Sequence, residues 1–136
     1  MQLAVYDLVG ALFAPTEPSS ASRHADKLFA RIRGIIKDGC ADPDFGPHDV
    51  AAKAGISLRY LQKLFTEHSS TCSEFIYSLR LDQAARLLHR RGSLRARQPL
   101  SEIAYACGFH DYTHFARKFR QRFGHPPGAH SEVLVA

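Results

Sequence analysis

The clearest pattern of apolar and polar positions lies in residues 101–123, where it predicts a short helix, a glycine turn and a second helix. Ser101 is the expected N-cap of the first helix, and Gly108 is expected to end it because glycine enters the left-handed region without a Cβ penalty. Asp111 is expected to cap the second helix. The large apolar residues of the second helix recur every four positions and therefore share one buried face: Phe115, Phe119 and Phe123.

The other side chains of this second helix are polar or basic and point away from the aromatic face. They are Thr113, Arg117, Lys118, Arg120 and Gln121. A tight glycine turn between a short helix and a second helix with a polar, basic outer face is typical of a DNA-reading helix-turn-helix.

The same pattern occurs earlier in the chain, in residues 48–68. The corresponding positions are Val50 with Ile103, Ala51 with Ala104, Gly55 with Gly108, Ile56 with Phe109 and, after one extra residue in the second copy, Ser57 with Asp111, Leu61 with Phe115, Lys63 with Arg117 and Phe65 with Phe119. Glycine recurs at the turn and apolar residues recur on the buried side. The repeat therefore predicts two helix-turn-helix units, at about 47–69 and 99–123.

A longer helix is predicted between the two copies, over residues 71–90, with Thr71 as its N-cap. Its apolar positions fall on two sides, so it is expected to pack one helix-turn-helix against each flank. Residues 90–99 are predicted to form a loop. That loop contains the densest positive cluster of the chain, which is a candidate for phosphate contact: Arg90, Arg91, Arg95 and Arg97.

The N-terminal part of the chain predicts two further helices. Residues 2–14 are apolar at helical spacing almost without a polar face, so this helix is expected to need a partner. A linker rich in proline and serine follows at 14–22, and residues 21–39 form an amphipathic helix. The expected fold is all-α, with about seven helices forming two helix-turn-helix units joined by a long bridging helix, plus an extra N-terminal helix. Its expected domains are 1–20 and 21–131.

The positive charge of the chain is concentrated in its C-terminal part. Residues 1–46 hold five Lys and Arg against six Asp and Glu, and residues 47–136 hold thirteen against seven, which gives −1 and +6. This imbalance indicates a polyanionic partner. The chain lacks an apolar run of about 18 residues and a signal-peptide pattern, so we expect a cytoplasmic protein that does not enter the membrane.

The most specific stretch, IAYACGFHDYTHFARKFRQRFGHPP, resembles the C-terminal DNA-binding domain of the AraC/XylS family of bacterial transcription regulators. The match consists of Ile-Ala, Gly-Phe, then Phe, Arg, Phe and a closing Gly before proline. RLDQAARLL at 80–88 is similar to the family's bridging helix, and the resemblance covers roughly 22–130. Two departures are Cys72, where the family usually has proline, and His130 with Ser131, where it usually has an aromatic-arginine pair.

The resemblance implies a sequence-specific transcriptional regulator that binds double-stranded DNA and works with RNA polymerase. Family members commonly carry an N-terminal domain that senses a small molecule or mediates dimerisation. The apolar helix at 2–14 is therefore interpreted as a remnant of such a domain, or as a surface that pairs with its copy in a homodimer.

The resemblance and the repeat together predict which side chains face the DNA grooves. In the first unit they are Arg59, Gln62 and Lys63, and in the second they are Tyr112, Thr113, His114, Ala116 and Arg117. Arginine can bind guanine O6 and N7, glutamine can bind adenine N6 and N7, and an alanine or threonine methyl group can pack on the thymine methyl group.

Other chemistries are weaker explanations of the same residues. His110 and His114 have zinc-ligand spacing, but the cap at Asp111 separates them, so no metal is expected. Cys72 near His68 lacks an orienting third group, and no glycine-rich phosphate loop is present, so neither an enzyme nor a cofactor is expected. The alternative function is an α-helical protein-interaction module with a basic surface, which predicts little salt-sensitive DNA affinity.

Overall fold

The described part of the chain is entirely helical, which confirms the all-α prediction. The computed structural model describes residues 20–94 and 98–130, and these contain no strand. The helices are α1 (Ser20–Gly39), α2 (Pro47–Ala54), α3 (Leu58–Glu67), α4 (Cys72–Leu94), α5 (Leu100–Ala106) and α6 (Tyr112–Phe123), followed by a 3₁₀ turn at Pro127–Ala129. The helix predicted at 2–14 lies outside the described residues. None of the helices described is long and apolar enough to cross a membrane.

The chain divides into two compact units between Ala30 and Arg31, within α1. The described part of the first unit is the N-terminal half of α1, in which Phe29 is buried. Both helix pairs and α4 belong to the second unit, which is described by itself below.

The helices α2 and α3 form the first helix-turn-helix. Their buried side chains are Val50, Ala51 and Ala54 on α2, and Leu61, Leu64 and Phe65 on α3. Arg31 holds the C-terminal end of α2, because its guanidinium donates to the carbonyls of Ala54 at 3.1 Å and Lys53 at 3.2 Å. A cation at this end of a helix pairs with carbonyls that have no partner inside the helix.

The helices α5 and α6 form the second helix-turn-helix, around an aromatic core. Phe115 and Phe119 are fully buried, and the ring centroid of Phe115 lies 5.1 Å from that of Phe109. The third predicted aromatic, Phe123, is half-buried, and its ring centroid lies 4.5 Å from that of Phe119. The same core includes Leu81, Ala84 and Leu88 from α4, so the second helix-turn-helix is packed against the long helix.

The long helix α4 begins as predicted and ends later than predicted. The Thr71 hydroxyl accepts from the Glu74 backbone N–H at 3.0 Å, as an N-cap should. The loop predicted from residue 90 is wrong in its first part, because α4 continues to Leu94. A single glycine, Gly92, costs a helix only about 1 kcal/mol, and no proline interrupts the segment before Pro99.

The structure describes only part of the predicted arginine cluster. Arg90 and Arg91 are helical, and Arg91 Nε donates to the Gln98 carbonyl at 2.8 Å, across the connection to α5. Arg95 and Arg97 lie outside the described residues.

The predicted N-cap of α5 is also wrong. The helix begins at Leu100, so Ser101 lies inside its first turn and Pro99 takes the cap position. Pro99 has extended backbone angles, and its carbonyl accepts from the N–H of Glu102 at 3.1 Å. Proline suits a helix start because its fixed φ matches that geometry and its missing N–H is not needed there.

A pair of histidines packs the C-terminal turn against α6. His125 Nε2 and His130 Nδ1 are 2.8 Å apart, and His130 is buried with its ring 5.3 Å from Phe119 and 5.4 Å from Phe123. Burial lowers the pKa of His130, and nearby His125 and His89 lower it further. The folded protein therefore favours the neutral imidazole.

The turn glycines predict two different mutational costs. Gly55 has φ +73° and open space around its Cβ position. Gly55→Ala should therefore lower the free energy of unfolding by about 1 kcal/mol, because only the left-handed backbone is unfavourable for alanine. At Gly108 (φ +99°) a Cβ would lie 2.5 Å from the Cys40 carbonyl oxygen and 2.7 Å from Arg80 Nε. Gly108→Ala should therefore cost about 3 kcal/mol or more. Urea unfolding of both variants measures the difference, and equal costs would contradict the close approach.

The histidine pair predicts a loss of stability in acid. The folded-state pKa of His130 lies below its unfolded value of about 6.5. The stability that neutral His130 contributes is therefore fully present above that pH and is lost as the pH falls through the folded-state pKa. Denaturant unfolding measures the free energy of unfolding at pH 7.5 and at pH 5.5. Its decrease between the two should be smaller for His130→Phe, which keeps an aromatic ring, than for the wild type. An unchanged decrease would show that other groups carry the pH dependence.

Candidate nucleic-acid interface

The two helices predicted to read DNA, α3 and α6, begin with side-chain caps. The Ser57 hydroxyl accepts from the Tyr60 backbone N–H at 3.0 Å. At the equivalent position of the repeat, the Asp111 carboxylate accepts from the N–H groups of Thr113 at 2.8 Å and His114 at 3.3 Å. Both caps satisfy N–H groups that have no partner inside the helix, so each helix starts at a defined residue.

The two turns also share their backbone hydrogen bonds. The Gly55 N–H donates to the carbonyl of Ala52 and the Ile56 N–H to that of Ala51, at 3.2 and 3.0 Å. The second turn repeats this arrangement 53 positions later, with Gly108 donating to Tyr105 and Phe109 to Ala104, at 3.1 and 3.0 Å. The internal repeat in the sequence is thus also a repeat of local structure.

The first recognition helix brings its three predicted side chains together on one exposed surface. Arg59, Gln62 and Lys63 are exposed, and their spacing of three and four residues places them on the same side of α3. The core side chains of α3 lie elsewhere on the helix. Ser57, Arg59, Tyr60 and Lys63 line a shallow open pocket at its N-terminal end.

The second recognition helix presents its predicted side chains less uniformly. Thr113 and Arg117 are exposed and lie one turn apart, with the half-buried Ala116 beside them. Tyr112 is half-buried and packs against Phe115, with ring centroids 5.8 Å apart. Two of the five predicted residues on α6 are therefore well exposed.

His114 lies partly within the aromatic packing below α6. Its ring meets Tyr77 edge-on at 5.3 Å and Phe109 at 5.9 Å. Burial lowers the pKa of His114, and the neighbouring Arg117 and Lys118 lower it further. At neutral pH its exposed part is therefore an uncharged hydrogen-bonding group.

The basic side chains of α6 differ in how they are held. Arg122 pairs with Asp82 on α4, at 2.9 Å, and Lys118 Nζ lies 5.0 Å from the Tyr77 ring centroid. Both of these contacts hold α6 to α4. Arg117 and Arg120 are exposed, so they are the α6 arginines best placed for an external anion.

Two further residues of the region had no role predicted from the sequence. Tyr60 is 37% exposed beside Arg59 on α3. Arg80 is only 6% exposed, in the middle of α4. Its signal was present in the spacing, because Arg80 interrupts a line of buried residues four apart: Ile76, Ala84 and Leu88.

The cysteines and histidines form no evident chemical centre within residues 20–94 and 98–130. No group of three or more His, Cys, Asp or Glu side chains is suitably placed for a metal ion there. Burial raises the pKa of Cys72 and of Cys107 to about 11, so both thiols are protonated at neutral pH.

Comparison with known proteins identifies similar chains. A family model described as a helix-turn-helix domain matches residues 50–132. The transcriptional activator NphR of Rhodococcus sp. is 34% identical over 110 residues, which are 81% of this chain and 31% of that protein. The transcriptional activator RhrA of Rhizobium meliloti strain 1021 is 31% identical over 122 residues, which are 90% of this chain and 38% of that protein.

A solved structure supports the same relationship. The crystal structure of a probable AraC family transcriptional regulator from Rhodopseudomonas palustris CGA009 aligns with a TM-score of 0.68 and 25% identity, over 78% of this chain and 95% of that one. The chain spans about a third of the length of the two curated relatives. The family model covers more than half of the chain, and the chain belongs to the AraC/XylS family of helix-turn-helix transcriptional regulators.

Proposed function

We propose that this protein binds double-stranded DNA sequence-specifically and regulates transcription, with α3 and α6 inserted into successive major grooves. The observation that carries the proposal is the duplicated local geometry, in which two capped helices follow the same glycine turn and leave polar side chains exposed. Adjacent major grooves on one side of a duplex lie one turn, roughly 34 Å, apart. Since the two helices differ in sequence, one protein molecule would recognise an asymmetric site.

The first recognition helix is proposed to supply hydrogen-bonding contacts to base edges. Arg59 and Lys63 are exposed donors that suit guanine O6 and N7, and Gln62 suits adenine N6 and N7. Tyr60 is suited to a phosphate contact, because its exposed ring lies beside Arg59 in the same pocket. We therefore propose that α3 recognises its base pairs mainly through hydrogen bonds.

The second recognition helix is proposed to combine one strong donor with smaller contacts. Arg117 is proposed to bind guanine, and the methyl groups of Thr113 and Ala116 to pack on thymine. Tyr112 and His114 are proposed to reach the DNA with the exposed parts of their rings, because the other parts pack on Phe115, Tyr77 and Phe109. Arg117 should dominate the discrimination by α6.

The wider biology of the protein is proposed from the family and from the relatives. Two relatives carry the name of transcriptional activators, and both are about three times as long as the stretch they share with this chain. We propose that residues 1–20 connect to, or derive from, a sensing or dimerisation domain, that they contribute to a homodimer, and that the regulator contacts RNA polymerase in the cytoplasm. Proteins of this family and fold are generally not enzymes, and we propose no catalytic activity.

The first test of DNA binding is its dependence on salt. Neutralising about 6–10 phosphates would reduce the affinity by about 10³–10⁵-fold between roughly 50 and 200 mM salt, because condensed counterions are released on binding. Fluorescence anisotropy with a labelled duplex measures this slope. A protein-interaction module with a basic surface would show weak DNA affinity at every salt concentration, which would contradict the proposal.

The second test concerns Arg117 and requires the recognised sequence, which random-site selection supplies. Arg117→Ala should lose about 1–3 kcal/mol of discrimination between the selected and a scrambled duplex, because a bidentate contact to guanine is removed. Mobility-shift titrations measure both affinities. The matched control is Arg120→Ala, one turn along α6, which should change the two affinities by the same factor. Equal behaviour of both variants would remove Arg117 from the base-reading set.

A further inference from the structure

A buried arginine connects the long helix to the loop that precedes the first helix-turn-helix. Arg80, on α4, donates from Nε to the Cys40 carbonyl at 2.7 Å and from Nη2 to the carbonyls of Asp42 at 2.9 Å and Phe45 at 3.1 Å. These three acceptors span the whole loop between α1 and α2. A buried guanidinium is stable only with such hydrogen bonds, so the loop and α4 hold each other in one arrangement.

The turn of the second helix-turn-helix approaches the same loop. Gly108 is buried, and a Cβ atom at this position would meet the Cys40 carbonyl oxygen, Arg80 Nε and, at 3.2 Å, the Ala41 carbonyl oxygen. The next residue, Phe109, stacks on Tyr77 of α4 with ring centroids 5.8 Å apart. Three separate parts of the chain therefore meet at the Arg80 guanidinium: the α1–α2 loop, α4 and the α5–α6 turn.

The surface above this junction carries a second link. His110 Nε2 lies 3.3 Å from the Asp44 carboxylate, and both side chains are largely exposed. An exposed pair contributes little to stability. Its position nevertheless shows that the α1–α2 loop lies beside the α5–α6 turn at the surface as well as in the interior.

The separation of the two recognition helices depends on indirect contacts. The main contacts of α3 are with α2 and α4, and those of α6 are with α4, α5 and the 3₁₀ turn. The α1–α2 loop leads into α2, which packs on α3, and the α5–α6 turn leads directly into α6. A change in how either segment is held to α4 would therefore shift the recognition helix next to it.

We propose that Arg80 is a positioning residue for DNA recognition, which fixes the separation of α3 and α6 and thereby the number of base pairs between the two half-sites. The inference rests on the proposed function for its DNA readout. It assigns no DNA contact to Arg80, which is buried. The spacing preference of the protein is thus set by a side chain that lies away from the recognition surface.

The DNA test compares duplexes that differ in half-site spacing. Fluorescence anisotropy would give affinities for the selected site, for sites with one base pair added or removed between the half-sites, and for each half-site alone. The variants are Arg80→Met and Arg80→Lys. The control is Arg86→Met, which removes an exposed arginine from the same helix whose side chain bonds Gln83.

The expected result is a loss of spacing discrimination. Arg80→Met should bind the selected site about tenfold more weakly while each half-site alone is bound as by the wild type, and its affinities at the altered spacings should approach that for the selected site. Arg86→Met should keep the wild-type dependence on spacing. A parallel decrease at every spacing and at single half-sites would overturn the positioning role, because it would indicate general destabilisation.

A measurement without DNA separates failure of this inference from failure of the proposed function. Spin labels on cysteines replacing the exposed Glu67 of α3 and Gln121 of α6, in a Cys40→Ser background, report the distance between the helices by double electron–electron resonance. Cys40 contributes its backbone carbonyl to Arg80, so serine keeps the acceptor. Cys72 and Cys107 are buried protonated thiols and should react slowly with the label.

The distance distribution should broaden or shift in Arg80→Met and remain unchanged in Arg86→Met. An unchanged distribution in a folded Arg80→Met would overturn the inference, whatever the DNA results. If Arg80→Met does not fold, Arg80→Lys carries both measurements, since it keeps the charge. If neither variant folds, Arg80 is required for the fold itself and the positioning role is rejected. A wild type that binds no DNA would instead reject the proposed function and leave the distance measurement as the test of Arg80.

Discussion

The structure depends on one helix being buried along two flanks at once. α4 contributes Leu81, Ala84 and Leu88 to the core of the second helix-turn-helix, and its N-terminal half packs against α3 through Phe75, whose ring lies 5.8 Å from that of Phe65. Because both partners pack on the same rigid element, a displacement of either one is transmitted through α4. The long helix is therefore the rigid element to which both α3 and α6 are fixed.

The buried charge in the middle of α4 makes this arrangement specific. Apolar contacts alone tolerate sliding and repacking, because they have little directional preference. A guanidinium with three carbonyl acceptors has directional requirements, and a displaced loop would leave a buried charge without its hydrogen bonds. Arg80 thus restricts the packing of α4 to an arrangement in which all three acceptors are in place.

The features of the fold that were predicted correctly are those determined by neighbouring residues. A capping side chain such as Asp111, a turn glycine such as Gly108 and the line of aromatics on α6 are specified within a few positions of the chain, so the periodicity and the residue types were sufficient. The repeat strengthened each of these predictions. The relation between the two copies and the helix joining them was also visible in the two apolar flanks of α4.

The incorrect or missing features depend on competition between local signals or on distant contacts. Ser101 is a good capping residue, but Pro99 lies two positions earlier and starts α5 first. The continuation of α4 past residue 90 follows from the absence of a strong helix breaker in that stretch, since Gly92 alone is not sufficient to end the helix. Arg80 finds its acceptors 35 to 40 residues away, and the packing of His114 depends on Tyr77, so neither environment is encoded locally.

The division between buried and exposed side chains on α3 has a consequence for how such a protein changes its target. Surface substitutions away from caps and packed contacts usually alter stability by less than about 0.5 kcal/mol, so Arg59, Gln62 and Lys63 can be exchanged while the helix remains folded. On α6 the same freedom is incomplete, because His114 takes part in the aromatic packing. Over evolutionary time the exposed side chains of α3 should therefore be exchanged more readily than those of α6.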